Sequence, residues 1–265
     1  MILGHNRDTA AKAAGRAGGT VGAMTRTRLL ALGLTGLLLL TSACARNPDA
    51  TTASMPKPST VVFLGDSVAE GESLPLAAAL KASGTGFVSL AADGGGNVVG
   101  PFADENWKKL PGEIASARPT VVVYQLTTYD WGSEAEQQAA YDRLLGTVTG
   151  TGAELVFVTS PPIRPDDFYR PHLAELAHAR AVADTSQGRA VVFDAGAVWG
   201  GEYQQVRDGR PDRSADGIHT CPQGAARFTA WLLAQLAKAL PGFTPAPAPE
   251  WANTGWSADQ HFQGC

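Results

Sequence analysis

The sequence is short of charge, and of positive charge above all. Charged residues make up 17% of the 265 residues and apolar residues 44%, a balance that supports a folded core and excludes a disordered or fibrous chain. Five of the 21 basic residues and one of the 25 acidic residues precede position 44, which leaves a net charge of −8 on the remainder. The sequence shows no stripe of basic residues and no interleaving of basic with aromatic residues. Because phosphate backbones repel such a chain, we expect no nucleic-acid partner.

A hydrophobic run long enough to span a membrane comfortably is also missing. The apolar run 29–40 is too short for that role. Arg26 and Arg28 precede it and small residues follow it, which is the order of a signal peptide. We therefore expect residues 1–43 to direct export, with Met24 as the true start of translation.

The residues that lead into Cys44 resemble the bacterial lipobox, in which the cysteine is diacylated and becomes the new N-terminus. Thr41 stands where leucine is commoner. The resemblance implies a lipid anchor at Cys44 on the outer face of the cytoplasmic membrane; the alternative is ordinary secretion with Cys44 incidental. Residues 44–59 are rich in Pro, Thr, Ser and Ala, as expected of a lipidated tether.

No internal repeat is visible, and residues 60–242 show instead one alternation of strand and helix. Five short β-branched or aromatic runs recur: TVVFL (60–64), FVSLA (87–91), TVVVYQL (120–126), ELVFV (154–158) and AVVF (190–193). Helix-length segments such as 133–145 and 171–183 separate them. Because parallel strands need long crossovers, this order predicts a parallel five-stranded sheet covered on both faces.

A last helix is expected to open at Thr220, whose hydroxyl would form a capping box with Gln223. Apolar residues at helical spacing should be buried on its inner face: Ala225, Phe228, Leu232 and Leu236. Residues 243–265 follow as a tail without periodicity.

The loop after the first strand carries Gly65, Asp66 and Ser67. Ligands of parallel sheets gather at the carboxyl ends of the strands, and a serine at a helix start has an exposed hydroxyl and a free backbone N–H. Asp66 or Ser67 could equally be a plain helix cap. The tripeptide alone does not separate these two interpretations.

Asp216 and His219 lie three residues apart before the last helix. A serine nucleophile needs a base, and the base needs a carboxylate that fixes its tautomer. Taken alone, the pair could be a solvated turn. Together with Ser67, the pair supplies a nucleophile, a base and the carboxylate that orients the base.

The combination resembles the SGNH (GDSL) hydrolase family. The first block of that family matches GDSVAEG at 65–71 and its last block matches DGIH at 216–219. The resemblance spans about residues 60–240 and implies a flavodoxin-like three-layer α/β sandwich and ester chemistry. An α/β-hydrolase nucleophile elbow fits less well, since it lies mid-chain as G-x-S-x-G and Ala69 occupies the final glycine position here.

The resemblance also implies an oxyanion hole built by Ser67 and a glycine after the second strand. That glycine should lie within Gly94, Gly95 and Gly96, and we assign it to Gly95. The family's third block, Gly-x-Asn-Asp, reads Thr-Thr-Tyr-Asp at 127–130 here, so its asparagine donor is missing. Asn97 is the nearest amide that could substitute, or else a turn residue. Ser160 to Pro162, after the fourth strand, should line the site.

We expect a monomeric serine esterase of the cell envelope, without metal or cofactor, that hydrolyses acyl esters of carbohydrates or lipids. A preference for short acyl chains is expected because no long apolar lid segment is visible. One alternative is an O-acyltransferase that uses the same triad on envelope glycans. Another is an inactive glycan-binding lipoprotein, which the altered third block alone favours.

Cysteine is scarce, and lipidation of Cys44 would leave only Cys221 and Cys265 to pair. Export places them where a disulfide can persist; two free thiols are the alternative. The bond would hold the tail, with Trp251, Trp256 and His261, beside His219 as a wall of the substrate pocket.

Overall fold

The computed structural model describes residues 60–170 and 176–265, the side chain of Leu176 excepted. The predicted signal peptide, Cys44 and the tether lie outside these residues, as does the start of the helix expected at 171–183. All five predicted strands are present: Thr60–Leu64 (β1), Gly86–Ser89 (β2), Val121–Gln125 (β3), Glu154–Val158 (β4) and Ala190–Phe193 (β5).

The strands form one parallel sheet in the order β2-β1-β3-β4-β5. Four helices lie between successive strands: Ser67–Ala82 (α1), Ala103–Ala117 (α2), Glu134–Thr149 (α3) and Leu176–Thr185 (α4). Two more follow β5: Gly196–Trp199 (α5) and Pro222–Ala239 (α6). A short hairpin, Val206–Arg207 (β6) with Arg210–Pro211 (β7), precedes α6. The predicted three-layer α/β architecture is confirmed.

Alternate residues of each strand supply the two cores on either side of the sheet. Val61 and Phe63 face α1 and α6, whereas Val62 and Leu64 face α2, α3 and α4. All four are almost completely buried, and the continuous apolar runs in the sequence are the mark of a sheet covered on both faces. The sheet is therefore a rigid platform for the loops at its carboxyl edge.

The last helix begins later than its sequence predicts. Its N-cap is Cys221, which makes no side-chain cap bond, and Pro222 occupies the first turn, where a residue without an N–H is tolerated best. Thr220 is instead paired with Arg213 in an isolated β-bridge. The predicted capping box of Thr220 with Gln223 is therefore wrong, whereas the predicted inner face is buried as expected.

The tail after residue 242 is packed against α1 in short 3₁₀ turns: Ala248–Glu250, Trp256–Ala258 and Gln260–Phe262. Trp251 is 2% exposed and belongs to the core shared by α1 and α6. Among the described residues, no helix combines the length and apolarity needed to cross a membrane.

Candidate active site

Ser67 is the first residue of α1, directly after the loop that leaves β1. Asp66 is the N-cap: its Oδ1 accepts the N–H of Val68 at 3.0 Å, and its Oδ2 accepts the N–H and the hydroxyl of Thr128, both at 2.9 Å. Burial raises the pKa of Asp66, although these hydrogen bonds oppose the effect. Asp66 therefore performs the capping role, which leaves Ser67 facing outward.

The three side chains singled out in the sequence meet at the carboxyl edge of the sheet. His219 Nε2 lies 2.8 Å from Ser67 Oγ, across 152 residues of sequence. His219 Nδ1 lies 2.7 Å from Asp216 Oδ2. These distances are those of a serine nucleophile, its general base and the carboxylate that orients the base.

Asp216 is held as a carboxylate by its own turn. Its Oδ1 accepts the N–H of Ile218 at 2.7 Å and that of His219 at 3.0 Å. Partial burial by itself would raise the pKa of Asp216, but the hydrogen bonds from the His219 ring and from these backbone groups outweigh it and lower the pKa well below 3.8. Asp216 can therefore stabilise a protonated His219 across the neutral pH range.

The amide of Asn97 does not face Ser67. Asn97 is completely buried, and its Nδ2 donates to the carbonyls of Val99 at 2.6 Å, of Tyr129 at 3.3 Å and of Pro101. The prediction that Asn97 is an oxyanion donor is wrong, because the N–H groups of its side chain donate to these backbone carbonyls instead.

The N–H of Gly95 is also used within the loop, since it donates to Ala92 at 3.2 Å. Within the part of the chain that the structure describes, the N–H groups of Ser67 and Gly96 donate no hydrogen bond. Gly96 has φ +80°, and a Cβ there would lie 1.8 Å from the carbonyl oxygen of Gly65. The glycine packed against the loop that carries Ser67 is therefore Gly96, and not Gly95 as predicted.

The loop that replaces the Gly-x-Asn-Asp block is held by Asp130. Its carboxylate accepts the hydroxyls of Tyr124 and Tyr141 and the N–H groups of Val98 and Thr127. Burial raises the pKa of Asp130 to about 6 despite these bonds. Asp130 therefore joins this loop to the loop after β2, which contains Gly95 and Gly96. Both of its carboxylate oxygens already accept hydrogen bonds within the protein.

Tyr129 stands where the family has its asparagine. Its ring packs against Phe102, Trp131 and Tyr169, and its hydroxyl lies 3.4 Å from that of Tyr169. The neighbouring polar groups are also engaged: Thr128 donates to Asp66, and Gln125 Nε2 donates to Glu72 at 2.5 Å. This ring cluster was not predicted, because aromatic residues from three separate loops form it.

A cleft of about 190 Å³ opens beside Ser67 and His219 and is lined also by Gly71, Asp93, Thr220 and His261. His261 comes from the tail, so the predicted tail wall is present at that residue. Its Nδ1 lies 2.6 Å from Asp259 Oδ1 and its Nε2 3.3 Å from Glu70 Oε1. The hydrogen bond with Asp259, and then the charge of Glu70, raise the pKa of His261 although partial burial opposes them.

Cys221 and Cys265 form the disulfide, with Cα atoms 5.7 Å apart. The carbonyl of Gly264 also accepts the N–H of Ala215 at 3.1 Å, so the end of the tail contacts the turn that carries Asp216. Trp251 and Trp256 do not line the cleft: Trp251 is buried in the core, and Trp256 packs against Phe262. No group of three His, Cys, Asp or Glu side chains that could hold a metal ion occurs among residues 60–170 and 176–265.

Comparison with known proteins gives matches among solved structures alone. No protein-family model matches the chain, and no curated protein matches it. A predicted acylhydrolase from Bacteroides fragilis is 14% identical, with a TM-score of 0.50 over 71% of this chain and 93% of its own. A mutant of Axe2, an acetyl-xylooligosaccharide esterase from Geobacillus Stearmophilus, is 13% identical, with a TM-score of 0.50 over 72% of this chain and 97% of its own.

A predicted SGNH hydrolase from Slackia heliotrinireducens is 18% identical over 66% of this chain and 97% of its own, with a TM-score of 0.49. The two likenesses with a TM-score of 0.50 concern the fold alone: the chain shares a three-layer α/β fold with the B. fragilis structure and with the Axe2 mutant. In that fold Ser67, His219 and Asp216 stand within hydrogen-bond distance of one another.

Proposed function

We propose that the protein is a serine esterase that hydrolyses short-chain acyl esters of envelope carbohydrates or lipids. The observation that carries this proposal is the unbroken chain of contacts from Ser67 Oγ to His219 Nε2 at 2.8 Å and from His219 Nδ1 to Asp216 Oδ2 at 2.7 Å. A cleft of about 190 Å³ supports a small acyl or alcohol group beside Ser67.

In the proposed mechanism Ser67 Oγ attacks the ester carbonyl carbon while its proton passes to His219 Nε2. The N–H groups of Ser67 and Gly96 donate to the oxyanion that forms. His219 then protonates the oxygen of the departing alcohol, which leaves an acyl group on Ser67. Water attacks that acyl group with His219 as base, and the carboxylic acid departs as Ser67 regains its proton.

Exposure of the triad favours water over a glycan hydroxyl as the acceptor of the acyl group. The side chains of His219 and Asp216 are 37% and 45% exposed, so water has access to the acyl-enzyme. An acyltransferase must keep water out at that step. Hydrolysis is therefore the activity that we assign.

The test is turnover of p-nitrophenyl esters of increasing chain length by wild type and by triad variants. Ser67→Ala and His219→Ala should each lower kcat by several orders of magnitude with the fold intact, because the two act as a unit. Asp216→Asn should keep somewhat more activity. Wild-type turnover by Ser67→Ala, with circular dichroism unchanged, would overturn the assignment.

We further propose that the mature protein begins at a lipidated Cys44 and is held at the outer face of the cytoplasmic membrane. The support is the order of basic, apolar and small residues before Cys44. Expression in a bacterial host followed by membrane fractionation and mass spectrometry of the N-terminal peptide tests it. Cys44→Ser should move the protein to the soluble exported fraction, and an unmodified Cys44 in the wild type would refute the anchor.

A further inference from the structure

The turn that carries Asp216 and His219 is closed at its base by Arg213. Arg213 pairs with Thr220 in an isolated antiparallel bridge, and the N–H of Ser214 donates to the His219 carbonyl at 2.9 Å. The arginine is 2% exposed, which is rare for a charged residue without a structural or functional reason. Its side chain therefore lies beneath the turn and away from solvent.

The guanidinium of Arg213 donates to three backbone carbonyls. Its Nε donates to His219 at 3.3 Å, its Nη1 to Pro162 at 2.8 Å and its Nη2 to Ile218. Two of these carbonyls belong to the turn, and the third belongs to the loop after β4. A planar fork of five N–H donors can hold three acceptors in a fixed arrangement, which a lysine ammonium on its flexible stem does less well.

The side chains above this arginine have little packing of their own. The His219 ring is 37% exposed and the Asp216 carboxylate 45% exposed. Their hydrogen bonds with each other and with Ser67 set the direction of the ring, but the height of the ring above Ser67 depends on the backbone beneath it. A displacement of about 1 Å there is enough to lower a rate on the order of 10²-fold.

We propose that Arg213 is a positioning residue that sets the distance between His219 and Ser67 through the carbonyls of the turn. The inference rests on the proposed esterase function and adds to it a residue that never touches the substrate. It predicts an effect on the chemical step at constant substrate binding. A merely structural arginine would change stability and leave the chemical step alone.

The experiment compares Arg213→Lys and Arg213→Gln with a matched control, Arg227→Lys. Arg227 is half-buried, binds Asp212 through two hydrogen bonds of 2.5 Å, and lies 5.1 Å from the Trp199 ring against 5.6 Å for Arg213. Among the described residues it forms no hydrogen bond with the turn 214–219. The measurements are thermal melting, kcat and KM for p-nitrophenyl acetate, and the rate of Ser67 labelling by a fluorophosphonate.

We expect both Arg213 variants to lower kcat and the labelling rate in parallel, by on the order of 10²-fold, with KM changed less than about threefold. Arg213→Lys should keep more activity than Arg213→Gln. Arg227→Lys should lower the melting temperature with kcat and labelling near wild type.

Wild-type kcat and labelling in folded Arg213→Lys and Arg213→Gln would overturn the inference, and so would equal losses in the Arg227→Lys control. Failure of both Arg213 variants to fold at 25 °C would assign the arginine to the folded state itself and likewise overturn it. Failure of the esterase assignment is distinguishable, because then Ser67→Ala would also keep full activity.

Discussion

Asp66 and Ser67 are adjacent in the chain and have separate tasks. The carboxylate of Asp66 caps α1 and binds Thr128, while Ser67 presents its hydroxyl to His219. The two interpretations of Gly-Asp-Ser, a helix cap and a nucleophile, therefore apply to two different residues. Because Asp66 already caps the start of the helix, Ser67 is not needed as a cap.

Asn97→Ala tests which task its amide performs. The substitution leaves buried carbonyls of Val99 and Tyr129 without their donor, and we expect a loss of stability of about 1–3 kcal/mol. The folded variant should keep kcat within a few-fold, whereas loss of an oxyanion donor costs on the order of 10²-fold. Urea unfolding and steady-state kinetics give the two values.

Asn106→Ala is the matched control for this prediction, since its Nδ2 donates to the Asn97 carbonyl at 2.9 Å from outside the turn. It should lose less stability and leave kcat unchanged. A fall of kcat on the order of 10²-fold for Asn97→Ala alone would return Asn97 to the oxyanion hole.

At the scale of the element, α1 carries a buried acid five residues after Ser67. Glu72 is completely buried, and burial raises its pKa to about 8, although the hydrogen bond from Gln125 and the charge of Arg213 oppose this. The native protein therefore retains a proton that the unfolded chain releases near pH 4.5. Stability contributed by this group falls as the pH rises from about 4.5 to about 8.

Glu72→Gln should remove that dependence, because glutamine keeps an oxygen that can accept from Gln125. We expect the contribution of Glu72 to wild-type stability to fall by at most about 1.4 kcal/mol per pH unit in that range, and the stability of the variant to fall less steeply than that of the wild type. Melting temperatures between pH 5 and 8 measure the difference. Part of the slope that remains in the variant comes from Asp130, whose pKa burial raises to about 6, and from Asp66, whose pKa burial also raises.

Glu134→Gln, an exposed carboxylate at the start of α3, is the control and should follow the wild type. Parallel curves for wild type and Glu72→Gln would mean that Glu72 is charged in the native protein.

At the scale of the whole molecule, the tail and the α/β core share one surface. Trp251 and Phe262 are buried against the core, and His261 lines the cleft beside Ser67. The disulfide joins the end of the tail to Cys221, two residues after His219. The tail is thereby held in place both by apolar burial and by a covalent bond.

Cys265→Ser should lower stability and alter substrate binding. The bond closes a sequence separation of 44, for which the chain-entropy model gives about 4 kcal/mol as an upper figure. Trp251 keeps the earlier part of the tail in place, so loss of the bond affects mainly the end of the tail, where His261 lines the cleft. We therefore expect the KM for ester substrates to rise more than kcat falls. Thermal melting and kinetics with and without reductant test this.

Reductant should change the wild type toward the variant and leave Cys265→Ser unaffected. Alkylation of both thiols in air-exposed, unreduced protein would show that the bond does not form. Identical kinetics for wild type and Cys265→Ser would separate the tail from substrate binding.

The sequence by itself determined the sheet, its five strands and the three residues that meet at its carboxyl edge, Ser67, His219 and Asp216. Strands that are buried on both faces appear in a sequence as short apolar runs. A serine after the first strand and an Asp-x-x-His before the last helix can also be recognised without knowledge of tertiary contacts. Such features depend on neighbours along the chain. The disulfide was predicted from the sequence only on the hypothesis that Cys44 is lipidated, with two free thiols as the alternative, and the structure contains it.

Only the tertiary structure decided which polar groups are free. Asn97 and Gly95 have suitable chemistry for their predicted roles, but their N–H groups donate to backbone carbonyls, those of Val99 and Tyr129 and that of Ala92. Thr220 is paired through its backbone with Arg213, and its hydroxyl makes no hydrogen bond among the described residues. The same holds for Arg213, whose three acceptors are separated by up to 51 residues from it. A donor's availability depends on what surrounds it in space, and residue type and spacing do not encode that.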